Sequence, residues 1–296
     1  MVRRVVALSL VIAVGAAVFF GAGAIFGGDD GDAEGTGPPS TNTVVSDGVT
    51  PTTLQPTTTT ELPVKERTVP TAEDPAELLI IGDSDAGTFG PYLETLMGQT
   101  GVVDTTLDYK VSSGLSRPDF FDWPSHMRQV IPEVNPDIVV VTFGGNDAQA
   151  LSNVDGTWEV EYVPASGDRD EEWKAEYARR VGEAMDYLSD GNRTLIWVGI
   201  PNDDDADVTA RMQVQDSVVR EEAAKRDDVI FIDTWKRFSG INGGWAEFVV
   251  DPRDGVGKDV RGDDGFHLNV TGAEILALDI AQAIRDDLRD RGAEGI

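Results

Sequence analysis

Four short apolar runs constrain the fold of this chain more than any other feature. Leu78-Leu79-Ile80-Ile81 stops at Gly82, and Ile138-Val139-Val140-Val141-Thr142-Phe143 stops at Gly144-Gly145. Thr194-Leu195-Ile196-Trp197-Val198 and Val229-Ile230-Phe231-Ile232 are the other two. Short runs that are apolar at successive positions and rich in β-branched residues read as strands buried on both faces. Val102 to Val111 alternates only in part and is a weaker candidate. Helical patterns separate these runs. Glu171 to Leu188 carries Trp173, Tyr177, Val181, Met185 and Leu188 at spacings of three and four, which makes one apolar face. Val208 to Lys225 is helical and more polar. The last helix opens with Thr271-Gly272-Ala273-Glu274, in the form of a capping box, and carries Leu276, Ile280, Ile284 and Leu288 on one stripe. Strands alternating with helices specify an α/β domain whose parallel sheet is covered on both faces. Ligands of such sheets sit outside the carboxyl ends of the strands.

The chain ahead of this domain has a different character. Met1-Val2-Arg3-Arg4 precedes an uncharged run from Val5 to Gly28, and Asp29, Asp30 and Asp32 follow it. A bilayer span needs about 20 apolar residues, whereas a signal-peptide core has only about 7–15. With arginines before the run and aspartates after it, the positive-inside rule leaves the tip in the cytoplasm and exports the rest. Residues 1–28 are therefore expected to be a cytoplasmic tip and a transmembrane signal anchor. A cleavable signal peptide, cut near Gly21 to Ala24, is the alternative and would yield a secreted protein. Residues 29–75 are Gly-, Asp-, Ser-, Thr- and Pro-rich and include Pro56-Thr57-Thr58-Thr59-Thr60. Such a segment buries too little apolar surface to offset its ordering entropy, and it reads as a disordered stalk. The globular domain spans 76–296.

Charge and cysteine content exclude several functions. The chain has 53 Asp and Glu against 24 Lys and Arg, a net charge of −29. Such a surface repels phosphate backbones, so nucleic acid is not an expected partner. The chain has no cysteine, which excludes disulfides, thiolate metal sites, a cysteine nucleophile and a lipoprotein anchor. Asp203-Asp204-Asp205-Ala206-Asp207 lacks the spacing and central glycine of an EF-hand loop and reads as an acidic loop. No metal or cofactor is implied.

Three Gly-rich segments fall at the carboxyl ends of the strands. Gly82-Asp83-Ser84 follows the first run directly. A tight strand-to-helix turn there would expose the Ser84 hydroxyl, which needs a base to act as a nucleophile. An ordinary turn and helix cap is the plain alternative. Gly144-Gly145-Asn146-Asp147 ends the second run, and an Asn amide at such a point can donate to a developing oxyanion. An Asn-Asp turn explains it equally well when taken alone. The chain has only two histidines, His126 and His267. His267 lies in Asp264-Gly265-Phe266-His267, where a carboxylate three residues upstream can fix the imidazole tautomer. His126, at the start of a helix, reads as a structural or surface residue. Trp158, Tyr162, Trp173 and Trp245 would suit either a carbohydrate cleft or core and loop packing. Arg261-Gly262-Asp263 is a tripeptide match without supporting context.

The order Gly-Asp-Ser, a later lone Gly, Gly-x-Asn-Asp and Asp-x-x-His resembles the SGNH (GDSL-type) hydrolase superfamily over about residues 77–291. Ser113 to Trp123, with Gly144-Gly145-Asn146-Asp147-Ala148-Gln149, is similar to an exported bacterial branch of it. The resemblance implies a three-layer α/β/α sandwich with a parallel, flavodoxin-like sheet. It implies Ser84 as nucleophile, His267 as base and Asp264 as its orienting partner. It implies an oxyanion hole made by the N–H groups of Ser84 and Gly114 and the Asn146 side chain. One position departs from the common Gly-Asp-Ser-Leu: Asp85 follows Ser84. Facing the site, Asp85 would disfavour anionic substrates; facing the helix N-terminus, it would be a favourable dipole partner. The implied activity is hydrolysis of acyl esters through an acyl-Ser84 intermediate, on a small molecule or on O-acetylated cell-envelope glycans. Transfer of the same acyl group to a sugar, or an inactive envelope-binding module, are the rivals. Oligomeric state is not legible.

Overall fold

The computed structural model describes residues 64–165 and 167–296. The expected anchor, and the stalk up to residue 63, lie outside the described residues. In chain order the elements are β1 (Ala76–Gly82), α1 (Ser84–Gly98), β2 (Val103–Tyr109), α2 (Trp123–Val134) and β3 (Ile138–Thr142). A hairpin of β4 (Leu151–Ser152) and β5 (Trp158–Val160) leads to α3 (Asp170–Ser189), β6 (Thr194–Val198), α4 (Ala206–Ala224) and β7 (Val229–Ile232). The short α5 (Thr234–Arg237), a second hairpin of β8 (Phe248–Val250) and β9 (Gly257–Asp259), and α6 (Val270–Asp290) complete the chain.

The main sheet has the order β2-β1-β3-β6-β7, with every neighbour parallel. This is the flavodoxin-like order, and its chain reversal lies between β1 and β3. Successive strand residues point to opposite layers. Leu78, Ile80, Val140, Ile196 and Val198 pack with α1 and α6, whereas Leu79, Ile81, Val139, Val141, Leu195 and Trp197 pack with α2, α3 and α4. All of these side chains are inaccessible to solvent. Burying each one contributes roughly 1.5–3 kcal/mol before entropy is counted, which is why the runs are apolar at every position. The weak alternation of β2 has a positional cause: it is an edge strand, and most of it is partly exposed.

The start of the last helix differs from the expected capping box. Asn269 is the N-cap, and its side chain accepts from Gly272 N at 3.1 Å. Thr271 lies inside the helix, and Glu274 pairs with Arg253 at 2.6 Å. Asn is as good a cap as any residue, and this one also donates to the carbonyl of Arg261 at 3.1 Å, which ties the helix start to the preceding loop. Residues 64–75, within the expected stalk, have no helix or strand. They run at the amino ends of β3 and β6, where Lys65 pairs with Asp137 at 2.8 Å and its N–H donates to Gly191 O. Among the described residues, no helix is long and apolar enough to cross a membrane.

Candidate active site

The candidate site lies at the carboxyl ends of β1 and β3 and is built by four loops. The first is the turn from β1 into α1. Gly82 has φ +148°, and a Cβ there would overlap the Thr142 carbonyl, so only glycine lets β1 turn this tightly against β3. Asp83 then caps α1, accepting from Asp85 N at 3.0 Å, and Ser84 becomes the first helical residue. The Ser84 hydroxyl is therefore set at a helix N-terminus, partly exposed.

The second loop follows β3. Asp83 Oδ2 accepts from both Gly144 N and Gly145 N at 3.1 Å, which ties this loop to the turn carrying Ser84. Asn146 is partly exposed at its tip. The third loop follows β2. Ser113 Oγ donates to Lys110 O at 2.5 Å and accepts from the buried Trp123 Nε1 at 2.8 Å. Gly114 comes next, and a Cβ on it would overlap the Asp147 carboxylate. Close approach is thus the reason for glycine at 114. Among the described residues, neither the Gly114 N–H nor the Asn146 side-chain amide is bonded to another group.

The final loop, before α6, brings His267 across to Ser84. Ser84 Oγ and His267 Nε2 are 2.9 Å apart, although 183 residues separate them in sequence. His267 Nδ1 lies 2.5 Å from Asp264 Oδ2. Asp264 Oδ1 accepts from Phe266 N at 3.1 Å and His267 N at 3.0 Å, the curled loop that the three-residue spacing allows. Burial pushes the Asp264 carboxyl up, but the His267 ring and these two amides outweigh it and hold it below the usual range. The contacts make a hydroxyl–imidazole–carboxylate chain with imidazole as the proton acceptor and carboxylate as its orienting group. Such a chain can activate a hydroxyl for attack on a carbonyl.

Sequence reasoning missed what supports these residues. The buried Arg261 guanidinium donates to the carbonyls of Asn202, Phe238, Ala246 and Phe266 and to Asn202 Oδ1. It anchors the His267 loop, and burial pulls its pKa down to about 10. Asp85 sits in the first turn of α1 but is not the cap. It is buried, and its Oδ2 has no hydrogen-bond partner among the described residues. It lies beside Gly145, where a Cβ would come 3.3 Å from its Oδ2 and 3.0 Å from Phe266. Burial pushes this carboxyl up, while the charge of His267 acts against the rise.

His126 pairs with Asp108 at 2.6 Å and is structural. Asp205 caps α4, accepting from Asp207 N and Val208 N. No group of three or more potential metal ligands occurs among the described residues. Trp173 is a core residue stacked on Tyr177 with ring centroids 4.7 Å apart, so it cannot line a cleft. Trp158 is exposed on β5, and Tyr162 bonds Glu172 at 2.7 Å. Trp245 donates to Gly265 O at 2.7 Å, within the His267 loop.

A family model described as "Protein of unknown function (DUF459)" matches residues 77–283. The chain belongs to this family. No curated protein matches the chain by sequence. Among solved structures, a GDSL-like lipase from Bacteroides thetaiotaomicron is 12% identical, covering 74% of this chain and 92% of its own, with a TM-score of 0.49. An acetyl xylan esterase from Geobacillus stearothermophilus is 16% identical, covering 78% of this chain and 99% of its own, with a TM-score of 0.48. The DUF459 domain owes its fold assignment to its own strand order and connections.

Proposed function

We propose that this chain is a serine esterase that hydrolyses acyl esters through an acyl-Ser84 intermediate. The observation carrying this reading is the 2.9 Å contact of Ser84 Oγ with His267 Nε2, with Asp264 2.5 Å behind the ring. His267 takes the proton from Ser84 as its oxygen attacks the ester carbonyl. The N–H groups of Ser84 and Gly114 and the Asn146 amide receive the oxyanion. His267 then protonates the leaving alcohol. It next takes a proton from water, whose oxygen attacks the acyl-enzyme, and returns that proton to Ser84 Oγ as the acid leaves.

The substrate class we propose is O-acetyl or other short acyl esters on cell-envelope glycans, with the domain held outside the cell membrane by residues 5–28. The location rests on Arg3 and Arg4 before that uncharged run and the aspartates after it. The glycan follows from the location. The test combines a fluorophosphonate probe, p-nitrophenyl acetate, and the Ser84→Ala and His267→Ala variants. Labelling and turnover that depend on Ser84 are expected; their absence from the unsubstituted protein overturns the reading. Acetate release from an O-acetylated glycan tests the substrate class. A sugar acceptor that gains the acyl group instead would assign transfer rather than hydrolysis.

A further inference from the structure

The loop that carries Gly114 is held with unusual completeness, and the groups that hold it come from another layer of the fold. Leu115 N donates to Asp147 Oδ2 and Ser116 N to Asp147 Oδ1, both at 2.9 Å. Arg180 Nη1, from α3, donates to Leu115 O at 2.9 Å and Ser116 O at 3.2 Å. All the backbone polar groups of these two residues are thereby engaged. Upstream, Ser113 is pinned by Trp123 and Lys110 O. The Gly114 N–H between these fixed points has no partner among the described residues.

Asp147 is itself fully buried, and its third hydrogen bond comes from the Tyr177 hydroxyl at 2.8 Å. Tyr177 and Arg180 lie about one turn apart on α3, Tyr177 on the face that packs against the sheet and Arg180 beside it, reaching the Gly114 loop. Arg180 is held in turn by Glu176 at 2.7 Å and by the Ser152 carbonyl at 2.9 Å. A buried carboxylate is costly unless several donors satisfy it. The same atoms packed as apolar side chains would stabilise a core at least as well. A charged group placed here instead sets direction: it fixes two adjacent amides and so the peptide just before them.

We infer that Asp147, held by Tyr177 and flanked by Arg180, is a positioning residue that aims the Gly114 N–H into the oxyanion hole. None of the three touches the reacting atoms. The inference rests on the esterase reading, and its prediction is a change in transition-state binding without a change in substrate binding.

The test uses the full chain, with p-nitrophenyl acetate turnover and inhibition by an alkylboronic acid that forms a tetrahedral adduct on Ser84. Asp147→Asn keeps the shape but places an amide NH₂ against one of the donors. Its kcat should fall about 10- to 100-fold with KM within about twofold, a fraction of the roughly 10²–10³-fold cost of losing one oxyanion donor. Boronate affinity should weaken in step with kcat/KM. Tyr177→Phe should show the same pattern at about three- to tenfold, and it keeps the test open if Asp147→Asn does not fold. Thr194→Val is the control for stability alone. It removes a buried hydrogen bond to Asp287 at 2.7 Å, at the amino end of β6, and should lower the melting temperature with kcat unchanged. The inference is overturned if Tyr177→Phe loses activity only in proportion to its unfolded fraction, or if it raises KM and leaves kcat and boronate affinity alone. A wild-type protein without Ser84-dependent turnover would instead remove the esterase reading itself.

Discussion

Asp264 and Asp83 are carboxylates of one site in opposite surroundings. Asp264 lies on the loop before α6 with its side chain 48% exposed, against an imidazole that is itself 36% exposed. Asp83 lies under Ser84 with no exposure, accepting from Asp85 N, Gly144 N and Gly145 N. The proximity of His267 and two amides holds Asp264 low, even against some burial. Burial, then the neighbouring Asp85, pushes Asp83 well up despite its backbone donors. Asp147, equally buried, is also pushed up by desolvation against the hydrogen bonds from Ser116 N, Leu115 N and the Tyr177 hydroxyl. Solvated carboxylates are free to follow a charge that changes during a reaction. Buried ones are suited to holding loops still. In the proposed reaction, proton transfer falls to the exposed groups and the holding of the loops to the buried ones.

Substitutions at the surface chain should break activity and spare the fold. Ser84→Ala is expected to lower kcat for p-nitrophenyl acetate by about 10⁴-fold or more, measured on protein whose circular dichroism is unchanged. Asp264→Asn should lower it by roughly 10²–10⁴-fold. Exposure places it toward the smaller end, because water can replace part of the lost orientation. Asn146→Ala should cost about 10²–10³-fold in kcat, or about 2.7–4 kcal/mol of transition-state stabilisation, with little change in KM.

The two kinds of carboxylate also predict opposite pH slopes of stability. Asp83 has a folded pKa above its unfolded value of 3.8, so the folded state binds the extra proton between the two. Its contribution is most favourable below that value and declines as pH rises toward the folded pKa. Asp264 has a folded pKa below 3.8, so its contribution is present above that value and is lost as pH falls through the folded pKa. Urea unfolding from about pH 3 to pH 7 should therefore show the advantage of the wild type over Asp83→Asn shrinking with rising pH. Its advantage over Asp264→Asn should grow and then level off. Parallel slopes would dissolve the distinction between the two groups. The smallest effect concerns the start of α6: Asn269→Ala should cost about 1 kcal/mol and Thr271→Ala no more than about 0.5 kcal/mol in denaturant unfolding.

Much of the site was legible because local spacing and scarcity both spoke. With two histidines in the chain, and Asp264 three residues before one of them, few alternatives competed. Tyr177 illustrates the opposite case. Its place on an apolar helical stripe marks it as core, which it is, but a buried tyrosine hydroxyl needs a partner, and that partner is Asp147. Arg261 was illegible for a similar reason. Its five acceptors come from four separate stretches of chain, so no sequence window contains the contact set. Asp85 could be placed beside Ser84 but not aimed, because neighbouring positions in a helix face different directions.

The apolar runs and their glycine stops are enough to specify a parallel sheet with helices on both faces, since burial on two sides demands apolar residues at successive positions. Motif order then places Ser84, Gly114, Asn146 and His267 at one edge of that sheet. What only the tertiary structure decided is how the groups meet: the 2.9 Å contact closing a gap of 183 residues, and the three-donor clamps of Asp83 and Asp147. The physical reason is range. Strand burial is expressed in periodicity a few residues long, whereas these contacts depend on loop closures between elements far apart in the chain.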